Sequence, residues 1–62
     1  MPIITLEVSK LSKEQKKDLV ERFTKEASAV TKIPEQAFVV IIKENDPDNI
    51  GIGGALLSER KH

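Results

Sequence analysis

A run of seven residues in the second half of the chain, "AFVVIIK" at 37–43, constrains the fold more than any other feature. Its apolar side chains do not alternate with polar ones, which is the pattern of a strand buried on both faces. A chain of 62 residues buries only about 60% of the surface that its unfolded form exposes. Other subunits are therefore expected to cover this strand, and we predict a homo-oligomer.

Two further segments complete a strand-helix-strand order. The first, "PIITLEV" at 2–8, is rich in β-branched residues and alternates, which favours a strand. Ser12 and the glutamine three residues later have the form of a capping box, so we expect a helix from about Lys13 to near Thr31. A helix of this length provides the crossover that parallel strands require. The predicted fold class is α+β, with a parallel strand pair and a right-handed crossover helix in one domain, 1–62.

The composition excludes several classes of function. The chain has no cysteine and one histidine, His62, so it cannot form a disulfide or a metal site built mainly of histidine and cysteine. Ten basic and ten acidic residues cancel, and two aromatic side chains offer no stacking platform, which argues against nucleic acid. No apolar run approaches the roughly 20 residues of a membrane span. We expect a cytoplasmic protein with no cofactor, no nucleic-acid partner and no membrane partner.

The usual catalytic groups are also missing, because no Ser-His or Cys-His nucleophile can form without an internal histidine or a cysteine. Four carboxylates are candidate bases, but their spacing singles out no pair, and we interpret them as solvated loop or edge residues: Glu7, Glu44, Asp46 and Asp48. The segment "GIGG" at 51–54 lacks the Lys-Ser or Lys-Thr of a phosphate loop, so we predict a hairpin or bulge. The last segment, 55–62, is compatible with a helical turn, a strand or a frayed tail.

Proline at position 2 supplies a different chemical group. Aminopeptidases remove the initiator methionine when a small residue or proline follows it, and Pro2 would then carry a free secondary amine on a rigid ring. An internal proline nitrogen is an amide without basicity. Burial and nearby cations lower the pKa of such an amine, which suits a base that works near neutral pH. Taken alone, however, Pro2 is better explained as the start of an edge strand.

Together, "MPIITLEV", "SKEQK", "VVIIKE" and "GIGG" resemble the tautomerase superfamily, in its short 4-oxalocrotonate tautomerase branch and above all its DmpI-like members. The resemblance covers nearly the whole chain. It implies a β-α-β subunit that forms a four-stranded sheet with a second subunit, and a hexamer of three such dimers. It also implies that Pro2, once Met1 is removed, is the general base of a cofactor-independent tautomerase. Such enzymes convert a dienol acid, such as 2-hydroxymuconate, to an enone.

The predicted substrate-binding residues depart from the family pattern. Lys10 is the nearest cation to the place of an absent arginine in the first loop. Val39 takes the place of a second arginine, and Ile50 that of an aromatic wall residue. We predict Lys10, Val39 and Ile50 as substrate-binding residues. The alternative is that Lys10 is a solvated loop cation and that Val39 and Ile50 are packing residues. Because lysine lacks the planar fork of arginine, the substrate is expected to differ.

The sequence leaves two alternatives for the function and limits how the site can be assembled. A strand of six or seven residues spans about 20 Å, so Lys10 cannot reach Pro2 of its own chain and would have to serve a neighbour's site. The function is either that of a tautomerase acting on a 2-hydroxymuconate-like acid or a different substrate, or that of a non-catalytic assembly protein which keeps the fold. Retention of Met1 would favour the assembly protein, because the Pro2 nitrogen would then be an amide.

Overall fold

The computed structural model describes residues 1–60 as a strand-helix-strand unit followed by a small hairpin. Residues 61 and 62, which belong to the predicted domain and last segment and include the histidine, lie outside the described residues. The strands and the helix have the following bounds: β1 Ile3–Val8, α1 Lys13–Thr31, β2 Val39–Glu44, β3 Gly51–Ile52 and β4 Ala55–Leu56. Three short 3-10 turns connect or follow them: Glu35–Ala37, Pro47–Asn49 and Leu57–Glu59.

Strands β1 and β2 pair in parallel, with Ile3 opposite Val39. The hydrogen bonds continue past both ends of the pair. At the start of β1 the carbonyl of Pro2 accepts a bond of 3.0 Å from the Val39 N–H, and at its end the carbonyl of Val8 accepts one of 2.8 Å from the Asn45 N–H. This arrangement, with α1 as the crossover, confirms the predicted α+β class and the β-α-β subunit.

Helix α1 has the predicted bounds, and both of its ends are capped. The Ser12 hydroxyl accepts a hydrogen bond of 3.1 Å from the Gln15 N–H, and the Gln15 side chain accepts one of 3.0 Å from the Ser12 N–H. At the other end, Lys32 takes a left-handed conformation with φ of 64°, and its N–H donates to the Ser28 carbonyl. Within residues 1–60, no helix is both long and apolar enough to cross a membrane.

The second strand differs from its predicted bounds of 37–43, because it spans Val39–Glu44. The two residues before it belong to a different structure. The Ala37 N–H donates a hydrogen bond of 3.0 Å to the Pro34 carbonyl, which closes the 3-10 turn Glu35–Ala37. Proline favours the start of a turn because its φ is fixed, and this local preference takes precedence over the apolar pattern.

The glycine segment forms the predicted hairpin. Strands β3 and β4 pair antiparallel around a two-residue turn in which φ is 61° at Gly53 and 89° at Gly54. A two-residue turn with positive φ at both positions matches the twist of the strands that it joins, and glycine adopts it without steric cost. The described part of the last segment is therefore a short strand followed by one 3-10 turn.

The subunit covers only one face of its sheet. Helix α1 packs across the face that carries Ile4, Leu6 and Ile42, and all three side chains are half-buried. On the other side, which we call the open face, Ile3 is 56% exposed and Ile41 is 40% exposed. No side chain within residues 1–60 is fully buried. The strand expected to be buried on both faces is thus covered on one, and the prediction that other subunits cover the second face still stands.

Candidate active site

The amino-terminal end of the sheet brings together two of the predicted site residues. Pro2 directly precedes β1, is half-buried, and is joined through its carbonyl to the backbone of Val39. Val39 begins β2 and lies beside it, also half-buried. The Met1 side chain is 87% exposed, so its removal would cost the subunit almost no packing.

Lys10 lies at the opposite end of the sheet. It is an exposed residue of the loop between β1 and α1, and it forms no salt bridge within residues 1–60. The six residues of β1 separate it from Pro2, and a strand of that length spans about 20 Å. Lys10 and Pro2 of one chain therefore lie far apart. The sequence predicts this separation.

Ile50 belongs to the segment that leaves the carboxyl-terminal end of β2. It is half-buried between a 3-10 turn and the hairpin, and its carbonyl accepts a hydrogen bond of 2.8 Å from the Leu57 N–H. Its N–H donates a longer bond, of 3.4 Å, to the Pro47 carbonyl. Because it follows the end of β2 that lies away from Pro2, Ile50 is separated along the chain from the Pro2 and Val39 pair.

Glu44, at the carboxyl-terminal end of β2, makes two contacts that the sequence does not reveal. The Leu11 N–H donates a hydrogen bond of 2.9 Å to its Oε2, and the Lys16 ammonium lies 2.8 Å from its Oε1. The bond from Lys16 and then that from Leu11 hold the pKa of the carboxyl below its ordinary value of 4.5. Glu44 is an exposed carboxylate at the end of a strand, as expected, but both of its oxygens also have hydrogen-bond partners.

The other three carboxylates have smaller local roles or remain exposed. The Asp46 side chain accepts a hydrogen bond of 2.9 Å from the Asp48 N–H and so begins the 3-10 turn after β2. Glu7 accepts a bond of 3.2 Å from the Asn45 side chain. Residues 1–60 contain no cluster of three or more metal-ligating side chains placed to hold an ion. None of these three carboxylates lies at the Pro2 end of the sheet.

The concave surfaces along α1 lie apart from the predicted site. A groove of about 600 Å³ is lined by side chains of α1 and of the 3-10 turn before β2. A second groove, of about 420 Å³, lies nearer the start of the helix and is lined mainly by lysine stems and Val20. None of the four predicted site residues lines either groove. A substrate pocket around Pro2 would therefore need walls from elsewhere.

The fold and the placement of Pro2 define a small β-α-β subunit whose amino terminus lies at one end of a parallel strand pair. The chain belongs to the tautomerase family: the family model described as "Tautomerase enzyme" matches residues 2–60. A probable tautomerase of Bacillus cereus is 36% identical over 61 residues, which cover 97% of this chain and all of that protein. Membership in the superfamily, expected from the sequence, is thus confirmed.

Solved structures agree with this assignment. YwhB, a homologue of 4-oxalocrotonate tautomerase, superposes with a TM-score of 0.87 at 31% identity, covering 97% of this chain and 100% of its own. DmpI from Helicobacter pylori gives 0.83 at 28% identity, with 95% and 100% covered. A heterohexameric 4-oxalocrotonate tautomerase from Chloroflexus aurantiacus gives 0.83 at 26% identity, with 98% and 100% covered. The resemblance to the 4-oxalocrotonate tautomerase branch, DmpI included, is therefore confirmed.

Proposed function

We propose that this protein is a cofactor-independent enol–keto tautomerase, and that the Pro2 amine, freed by removal of Met1, is its general base and acid. The observation that carries this proposal is the position of Pro2 in a chain of the tautomerase family. Pro2 is the second residue, it is half-buried at the start of β1, and its carbonyl is fixed to β2 by the Val39 N–H at 3.0 Å. Its nitrogen is thereby held at a defined point at the edge of the sheet.

The proposed substrate is a 2-hydroxydienoate, a small enol acid similar to 2-hydroxymuconate. The amine takes the proton of the enol hydroxyl, the C–O bond becomes a carbonyl, and the electrons of the diene shift along the chain. The protonated amine then returns the proton to a carbon atom. No atom is gained or lost and nothing is oxidised, so the reaction needs no cofactor. One amine with a pKa near the working pH can serve both steps.

We place the binding residues in a site shared between chains. Lys10 of a second, antiparallel subunit supplies the cation for the substrate carboxylate, because the length of β1 keeps the chain's own Lys10 away. Val39 beside Pro2 provides one apolar wall, and Ile50, which lies at the other end of the sheet in its own chain, provides another from the second subunit. An acid bound without the family's arginines is held by a point charge, so its orientation depends more on these walls.

The same site requires an assembly, which we propose to be a hexamer of three dimers in the cytoplasm. Two observations support an assembly: the open face exposes Ile3 and Ile41, and no side chain in residues 1–60 is fully buried. A related 4-oxalocrotonate tautomerase is a heterohexamer. Full burial of an exposed isoleucine contributes about 1.5–3 kcal/mol, and Ile3 and Ile41, which are already partly covered, would gain part of this on association.

A non-catalytic assembly protein is the second candidate. Val39 and Ile50 favour it, because apolar residues stand where family enzymes have an arginine and an aromatic wall residue. In such a protein Met1 would remain, and the Pro2 nitrogen would be an amide without basicity.

Mass spectrometry and an enol assay distinguish the two candidates. Intact mass of protein from its native host should correspond to a chain that begins at Pro2. This processed protein should ketonise 2-hydroxymuconate or phenylenolpyruvate faster than buffer does. A form with one lysine inserted between Met1 and Pro2 is not processed, and its rate should fall by about 10²- to 10⁴-fold, the usual contribution of a general base.

Lys25→Ala is the control, because it replaces an exposed residue of α1 and leaves the amino terminus intact. Its rate should equal that of the wild type. Pro2→Ala should lie between the wild type and the inserted form, since it keeps a primary amine and loses the rigid ring. Wild-type rates equal to buffer with several enols would refute the tautomerase and leave the assembly protein.

A further inference from the structure

Both oxygens of the Glu44 carboxylate are used by groups distant in the sequence. Oε2 accepts from the backbone N–H of Leu11, 33 residues away, and Oε1 accepts from the ammonium of Lys16, 28 residues away. The two partners lie on different elements, the loop after β1 and the first turns of α1. Glu44 therefore ties the end of β2 to both of them. We refer to these three residues as the Glu44 clamp.

The clamp fixes the loop that carries Lys10. On one side of Lys10, the Val8 carbonyl accepts a hydrogen bond of 2.8 Å from the Asn45 N–H. On the other side, the Leu11 N–H is bound to Glu44, and Ser12 is held by the capping box of α1. Lys10 is thus the exposed residue between two fixed points of the backbone. Without the carboxylate, the residue that follows Lys10 would no longer be held to β2.

The clamp also leaves the charge of Lys10 available. Lys16 takes one oxygen of Glu44 at 2.8 Å, and the Leu11 N–H takes the other, so the carboxylate is satisfied without the Lys10 ammonium. The cations that face Glu44 are Lys16 from α1 and Lys10 from the loop, and both favour its ionised form. The carboxylate therefore stays charged at neutral pH and holds the loop there.

We infer that Glu44 is a positioning residue, which sets the place of Lys10 for the carboxylate of an acidic substrate in a neighbouring subunit's site. This inference deepens the proposed function and rests on it. Glu44 does not touch the substrate, so it acts only through Lys10. Its removal should weaken the binding of acidic enols and leave the chemistry at Pro2 unchanged. The effect should disappear when Lys10 itself is absent.

Kinetics of Glu44→Gln and Lys10→Ala, alone and combined, test this dependence. With an acidic enol, Glu44→Gln should raise KM several-fold at unchanged kcat, and with a neutral enol it should change neither. In the Lys10→Ala background it should have no further effect on KM. The matched control is Asp18→Asn, which breaks an ion pair of similar length, 2.9 Å, that lies along α1 and does not touch the loop. It should leave KM unchanged with both enols.

An equal rise in KM with and without Lys10, or an equal rise for the neutral enol, would overturn the inference. A second readout does not depend on activity. In a pH titration followed by NMR, the Leu11 and Lys10 amide signals should move together with the ionisation of Glu44, and in Glu44→Gln they should be displaced and no longer titrate. Amides that neither titrate nor shift would overturn the inference whatever the enol assay shows. Titrating amides in a protein without enol activity would confirm the contact of Glu44 with the loop, and would refute the proposed function and with it the role of Lys10 toward a substrate.

Discussion

The two ends of the β1–β2 pair are held together by different means. At the amino-terminal end, a backbone hydrogen bond of 3.0 Å joins Pro2 to Val39, and the neighbouring side chains are apolar. At the carboxyl-terminal end, the charged Glu44 clamp joins β2 to the loop and to α1, with the Glu44 and Lys16 side chains 34% and 35% exposed. One end offers a candidate base, and the other offers a candidate cation.

In the site that we propose, a single chain therefore carries only one of the two groups at each end. An amine without a cation cannot hold an acidic substrate, and a cation about 20 Å from the base cannot assist it. A two-fold axis that sets two chains antiparallel would place the Pro2 end of one beside the Lys10 end of the other. The small size of the subunit and its open apolar face are consistent with this arrangement.

The largest effect is expected from a charge on the open face. Ile41→Asp should abolish assembly and leave the chain largely unfolded, because it would bury an unpaired carboxylate between subunits in place of an apolar side chain. Sedimentation and far-UV circular dichroism should show that both the oligomer and the helix disappear. The structure would then be lost at both ends of the sheet.

Val30→Asp is the control for that substitution. Val30 is 80% exposed near the end of α1, on the helix and not on the sheet, so the added charge should stay in water. This variant should keep the wild-type oligomer and its thermal midpoint within a few degrees. A folded wild-type monomer at micromolar concentration, or an Ile41→Asp oligomer as stable as the wild type, would refute the role of the open face.

A smaller effect, confined to the carboxyl-terminal end, is expected from Lys10→Ala. KM for an acidic enol should rise about tenfold, the size of a charge-assisted hydrogen bond, and KM for a neutral enol should not change. The apparent pKa of the base should also rise in the pH profile of kcat/KM, because a nearby positive charge has been removed. Lys25→Ala, on the exposed face of α1, should change neither quantity. Equal changes for both enols would show that Lys10 is only a solvated loop residue.

The smallest effect is on stability at low pH. The pKa of Glu44 is lowered in the folded chain, so its ionised form stabilises the fold above the ordinary value of 4.5, and this contribution is lost as the pH falls through the folded pKa. Glu44→Gln should therefore have a lower thermal midpoint than the wild type at neutral pH, and the gap should close as the pH is reduced below 4.5. A gap that is constant with pH would show that the carboxylate charge does not stabilise the clamp.

The strand-helix-strand order and the helix bounds can be predicted because their signals are local. The capping box at Ser12 fixes the start of α1, and the glycines at 53 and 54 fix the hairpin. The apolar pattern places the start of β2 two residues too early. The apolar run begins at Ala37, which favours a strand, but Pro34 favours a turn over the same residues. The sequence alone does not show whether the strand or the turn forms at Ala37.

Of the candidate site, the sequence predicts where Pro2 and Lys10 lie, because strand length alone sets their separation. It does not predict the partners of Glu44. Leu11 contributes only its backbone N–H, which any residue other than proline would provide, and no pattern of side chains marks that contact. A contact of this kind depends on how the loop folds back against β2, and it becomes visible only in three dimensions.

The central claim, that a site joins Pro2 of one chain to Lys10 of another, is tested most directly by mixing two defective proteins. One has the unprocessed amino terminus and an intact Lys10, and the other has Pro2 processed and Lys10→Ala. The two are unfolded and refolded together, and turnover of an acidic enol is measured at low substrate concentration. In about a quarter of the sites, random assembly should combine a processed Pro2 from one chain with an intact Lys10 from another. Activity of the mixture should therefore exceed the average of the two separate proteins. Activity no higher than that average, in a mixture shown by mass spectrometry to contain hybrid oligomers, would contradict the claim.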